Sequence, residues 1–180
     1  MNVICFGDSN TFGYDPCSRC GEPYDAGHRW VDILAAETHW NVRNQGMNGR
    51  EIPDEPVSMP DNTDLFIVML GTNDLLQFWP PEDAAAKMEQ FLSGLTLPPE
   101  KILLIAPPPM VWGDWVQDQG LIDDSVTLTG LYRELAGKLG IRFADAGQWG
   151  VKLAYDGVHF TEEGSRAFAE GLLTFLGCGE

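Results

Sequence analysis

Asp64-Leu65-Phe66-Ile67-Val68-Met69-Leu70 is an almost unbroken apolar run, and it stops at Gly71-Thr72-Asn73-Asp74. A strand with one face in water alternates apolar and polar residues. A parallel strand covered on both faces has no reason to alternate. The run therefore predicts a buried parallel strand over residues 64–70. The glycine and polar residues behind it place a loop at its carboxyl end.

The rest of the chain supplies partners for that strand. Asn2-Val3-Ile4-Cys5-Phe6 reads as a first strand, and residues 29–37 as a helix with Trp30, Ile33 and Leu34 at helical spacing. A short strand follows at residues 40–44, then a helix over 81–95 that opens on Pro81-Glu82-Asp83. Beyond it come a strand at 101–106, a helix over 126–139 ended by Gly140, and a strand at 141–145. Thr161 caps a last helix that carries Glu162 and Glu163 in its first turn and runs to Leu176. Strands alternating with helices predict an α/β fold with a parallel sheet between helical layers. The chain has 180 residues, the size of one domain, taken as residues 1–180. Residues 11–27 show no periodicity, and a loop of that length is usually functional or disordered.

The formal net charge is −16. This argues against nucleic acid, which is held mainly by Lys and Arg on phosphate, and against an anionic membrane surface. No basic start with an apolar core precedes the first strand, and no apolar run approaches a membrane span, so a cytoplasmic location is expected. Cys5 falls in the first strand. Cys17 and Cys20 form the only metal-like pair, without a second pair at a zinc-site spacing, and Cys178 stands apart. No metal and no cofactor are expected.

The strand ends carry the chemistry. Gly7-Asp8-Ser9-Asn10-Thr11 follows the first strand, and Asn44-Gln45-Gly46-Met47-Asn48-Gly49 the second. Gly71-Thr72-Asn73-Asp74 follows the third, and Asp156-Gly157-Val158-His159 lies beyond the last. Open parallel sheets bind ligands at these ends. Serine is a weak nucleophile until a base removes its proton. His159 is the candidate base, because Asp156 precedes it by three residues and can fix its tautomer. Asn73, Gly46 and the Ser9 N–H are candidate oxyanion donors. Each block alone is also ordinary turn chemistry; their joint occurrence in this order points to a Ser9–His159–Asp156 hydrolase.

These blocks resemble those of the SGNH hydrolases, also called the GDSL esterase/lipase family, over residues 7–159. The resemblance implies a three-layer α/β/α sandwich with a five-stranded parallel, flavodoxin-like sheet. It implies Ser9 as nucleophile and oxyanion donor, Gly46 and Asn73 as further donors, His159 as base and Asp156 as its partner. One position departs: the family often reads Gly-Asp-Ser-Leu, whereas this chain has Asn10. The flanks Gly7–Pro16, Arg29-Trp30 and Ala106-Pro107-Pro108-Pro109 are similar to the arylesterase-like branch. That similarity implies short acyl esters as substrates, acyl transfer by some members, and homo-oligomers.

Asn10, Phe12, Trp79, Trp112 and Trp115 lie just past strand ends and are the candidate pocket residues, Asn10 at its floor. For the aromatic ones, core packing or an oligomer interface is the competing role. The expected function is hydrolysis of small acyl or aryl esters. The alternatives are a carbohydrate O-deacetylase with the same residues, a non-catalytic flavodoxin-like binding module, and a phosphate-binding protein. No Gly-x-Gly-x-x-Gly fingerprint or P-loop supports the last.

Overall fold

The computed structural model describes residues 1–178. Its strands are β1 (Asn2–Gly7), β2 (Asn41–Gly46), β3 (Leu65–Met69), β4 (Ile102–Ala106) and β5 (Arg142–Asp145). They form one parallel sheet in the order β2-β1-β3-β4-β5. The helices are α1 (Ser9–Phe12), α2 (Trp30–Thr38), α3 (Thr72–Leu76), α4 (Pro81–Ser93), α5 (Gln119–Leu139) and α6 (Glu162–Leu176).

Alternate residues of the buried strands feed two cores. Ile4, Phe6, Phe66, Val68, Ile102 and Leu104 face α4 and α5, where Met88, Phe91, Leu128 and Tyr132 meet them. Val3, Cys5, Leu65, Ile67, Leu103 and Ile105 face α2 and α6, where Trp30, Leu34, Phe168 and Leu172 meet them. This is the expected α/β/α sandwich, and it explains why β3 reads as continuously apolar: both its faces are interior.

Most element boundaries fall within one or two residues of the sequence reading, and two elements, β2 and α5, depart from it in instructive ways. Strand β2 runs from Asn41 to Gly46, because it pairs with β1 as far as Gly7. It is an edge strand with mostly exposed side chains, so no hydrophobic pattern marks its limits. Helix α5 starts at Gln119, capped by Asp118, whose carboxylate accepts the Gly120 N–H at 2.8 Å. Gly120 and the Asp123-Asp124-Ser125 cluster hide that start. The buried positions Leu121, Ser125, Leu128, Tyr132 and Leu135 nonetheless keep helical spacing throughout. The short helices α1 and α3 carry no periodic signal, because each is a single turn packed on a strand end.

The long loop after α1 is ordered. Tyr14 pairs with Pro23, and the Tyr24 N–H donates to the Gly13 carbonyl at 2.8 Å. The loop is tied to the distant residues 155–160 by the Tyr155 hydroxyl on the Pro16 carbonyl (2.8 Å) and the Tyr24 hydroxyl on the Phe160 carbonyl (3.3 Å). Cys17 and Cys20 lie exposed within it. Among the described residues no helix is long and apolar enough to cross a membrane.

Candidate active site

β1 delivers Ser9 to the first turn of α1. Asp8 caps that turn, its carboxylate accepting the Asn10 N–H at 2.9 Å. The strand order reverses beside β1, since β2 lies on one side and β3 on the other. Such a switch point opens a crevice at the carboxyl ends. The turn before α6 enters this crevice with Asp156 and His159.

The structure brings Ser9, His159 and Asp156 into one line. His159 Nε2 lies 3.0 Å from Ser9 Oγ, and His159 Nδ1 lies 2.8 Å from Asp156 Oδ2. The other Asp156 oxygen accepts the N–H groups of Val158 and His159, each at 2.9 Å. Burial alone would push the Asp156 carboxyl up. The bonds from the His159 ring and from the two N–H groups outweigh that and hold it below the usual carboxylate value. Asp156 is therefore an anion that keeps Nδ1–H toward itself and leaves Nε2 to face the serine. Ser9 is 6% exposed and His159 3%, so little water competes for their bond.

Two aromatic rings flank the imidazole. Tyr14 lies 4.5 Å from it between ring centroids, and Trp115 meets it edge-on at 5.0 Å. Trp115 belongs to the loop after β4, and that loop is laced to the Asp156 turn. The N–H groups of Val111, Asp114 and Trp115 donate to the carbonyls of Gly157, Tyr155 and Asp156 at 3.1, 3.1 and 3.0 Å. The contact is so close that a Cβ on Gly113 would stand 2.3 Å from the Asp156 carbonyl carbon.

The three expected oxyanion donors lie at three strand ends. Asn73, in the first turn of α3, donates one side-chain N–H to the Arg50 carbonyl at 3.0 Å; its amide nitrogen carries a second. The Ser9 N–H is among the first-turn groups that a helix leaves without an intrahelical acceptor. The Gly46 N–H donates to Asn44 Oδ1 at 2.8 Å, so it is already engaged.

The residues match the model of a GDSL-like lipase/acylhydrolase family over 5–167. The chain belongs to that family. Family membership makes it a carboxylic ester hydrolase by class. Among solved structures it is similar to a putative arylesterase from Agrobacterium tumefaciens str. C58, at 31% identity and TM-score 0.79, covering 98% of each chain. It is similar to a carbohydrate acetylesterase family member from Sinorhizobium meliloti, at 26% identity and TM-score 0.81, covering 98% of this chain and 97% of that one. It also resembles the native M. smegmatis aryl esterase, at 27% identity and TM-score 0.80, covering 97% of each. A comparison with curated proteins finds no match.

Within this family member the expected pocket residues part company. Trp115 is at the site. Trp112 is mostly exposed, and Phe12 closes α1 half-buried. Trp79 lines a separate groove with Phe78, Pro80, Asp118 and Leu121, under the Lys87 ammonium; Ser9, Asp156 and His159 do not line it. Asn10, expected at a pocket floor, is buried, and each end of its amide bonds a backbone group beside His159.

Sequence reasoning missed the supports. Asp74, fully buried, accepts the Ile52 N–H at 3.1 Å, and Arg50 donates to the carbonyls of Gly7 (3.0 Å) and Gln45. Arg50 also lies over the Phe6 ring at 4.1 Å. These residues bind the loop after β2 to the ends of β1 and β3. Their only trace in the sequence is adjacency to Asn73 and Gly49.

Proposed function

We propose that the protein hydrolyses small acyl esters, short-chain or aryl, through an acyl-enzyme on Ser9. The observation that carries this reading is the Ser9 Oγ–His159 Nε2–Asp156 line, at 3.0 and 2.8 Å. His159 takes the hydroxyl proton as Oγ bonds to the ester carbonyl carbon. The carbonyl π electrons move onto oxygen. As that oxyanion collapses, the C–O bond to the alcohol breaks, and His159 returns its proton to the leaving oxygen. Water repeats the sequence on the acyl-enzyme and releases the acid. An alcohol in place of that water would carry the acyl group away as a new ester. Asp156 stabilises the imidazolium formed in each half. Asn73 and the Ser9 N–H receive the oxyanion. Gly46 joins them if its N–H is shared between Asn44 and the substrate oxygen.

Tyr14 and Trp115 beside the imidazole support an aryl or short acyl substrate, as do the relatives named aryl esterases. The relative named a carbohydrate acetylesterase favours a second reading, deacetylation of a sugar by the same residues. Rates on an aryl acetate and on an acetylated sugar separate the two. Ser9→Ala tests both: wild type is expected to label with a fluorophosphonate and to hydrolyse p-nitrophenyl acetate, and the variant to do neither. Equal labelling of the folded variant rejects Ser9 as nucleophile.

A further inference from the structure

We infer that Asn10, the residue after the nucleophile, is a positioning residue that holds the backbone of His159. The inference rests on the reading of Ser9 as nucleophile and His159 as base. The Asn10 side-chain N–H donates to the Val158 carbonyl at 3.1 Å, and its side-chain oxygen accepts the Phe160 N–H at 2.9 Å. The two bonds straddle His159. They join residues 148 and 150 positions apart in the chain.

Asn10 is itself fixed at both backbone groups. Its N–H donates to Asp8 Oδ1 at 2.9 Å, and its carbonyl accepts from the Trp30 indole at 3.0 Å. Trp30 is rooted in the α2–α6 core. The turn that carries Ser9 thus also carries the clamp on His159. The separation of nucleophile and base is set across one peptide link rather than through the sheet. Only a side chain with a donor at one end and an acceptor at the other meets both backbone groups, and a primary amide does so in either direction of the turn. Ionised aspartate lacks the donor. Leucine lacks both, and it would leave a buried carbonyl and a buried N–H without partners.

The test compares wild type, Asn10→Leu, Asn10→Asp and Ser9→Ala, each first shown to be folded by its thermal transition. It measures the fluorophosphonate labelling rate, kcat and KM on p-nitrophenyl acetate, and the low-field NMR signal of the His159 Nδ1–H. Asn10→Leu is expected to lose on the order of 10- to 100-fold in labelling rate and kcat, with little change in KM, because a displaced base misses the attack geometry. Its low-field signal is expected to shift or broaden, which a loss of stability alone would not produce in a folded variant. Asn10→Asp is expected to fall in the same direction, and it is read in the same way should the leucine variant not fold. An inert Ser9→Ala beside a folded Asn10→Leu with wild-type labelling and signal overturns this inference alone. A Ser9→Ala that still labels and hydrolyses overturns the underlying reading instead.

Discussion

A hydroxyl, an imidazole and a carboxylate become a relay only when each has a single orientation. Ser9 is oriented by the capped first turn of α1, His159 by Asp156 and the flanking rings, and Asp156 by two backbone N–H groups. Asn73→Ala removes the side-chain donor at the third strand end that we propose receives the oxyanion. Its kcat is expected to fall about 10²–10³-fold with KM little changed, as steady-state kinetics would show. Asp8 makes a pH-dependent prediction. Burial pushes its carboxyl up to about 6, against the pull of the Asn10 N–H and of His159. The folded state therefore binds this proton more tightly than the unfolded chain. Stability from this group grows as pH falls through about 6 and levels off once the unfolded carboxyl, near 3.8, is also protonated. Asp8→Asn keeps an acceptor for the cap and removes the buried charge. Its Tm is expected to exceed that of wild type at about pH 8 and to converge with it below about pH 4 in melts across pH. A gap that widens in acid would refute the assignment. At this scale the grouping of Ser9, His159 and Asp156 was legible, since chemistry restricts such a line to few residue types. The job of Asn10 was not, because an asparagine after a serine reads equally as turn, cap or pocket.

At the scale of elements, the buried strands were legible and the edges were not. Continuous apolarity identifies β3 without help, since both its faces must be dry. The edge strand β2 has no such constraint, and its end is decided by what packs on it. Gly46 ends β2 against α1: a Cβ there would stand 2.0 Å from the Phe12 nitrogen and 2.5 Å from its Cα. Those are backbone atoms of the turn that carries Ser9, so no side-chain rotation relieves the contact. Gly46→Ala is expected to destabilise the fold by about 1–3 kcal/mol and to reduce activity in the molecules that remain folded. Denaturant unfolding with a parallel esterase assay checks this; a neutral effect on both would mean that β2 and α1 do not meet so closely. The start of α5 was hidden for the opposite reason. Its first turns face partly to water, so Gly120 and the acidic pair outweigh the apolar spacing that begins at Leu121.

The whole molecule carries a formal net charge of −16. A neutral ester does not feel that field at long range, whereas an anionic one is repelled until salt screens it. Turnover of p-nitrophenyl acetate is expected to change less than about twofold as ionic strength rises to about 0.15 M, while an ester with a free carboxylate is expected to react faster with added salt. Steady-state kcat/KM at several salt concentrations checks both. Taken by itself, the sequence determined the fold class, the topology of alternating layers and the residue types of the site. Burial on two faces, strand-to-helix alternation and the scarcity of groups able to activate a serine leave few other solutions. Only the tertiary structure decided which residues hold those groups in place. The Asn10 clamp, the Arg50 and Asp74 ties and the loop that brings Trp115 to His159 all join segments distant in the chain. Each of these contacts ends on a backbone group that every residue shares, so nothing in the sequence marks the far partner; they exist only once the sheet has gathered the strand ends at one edge.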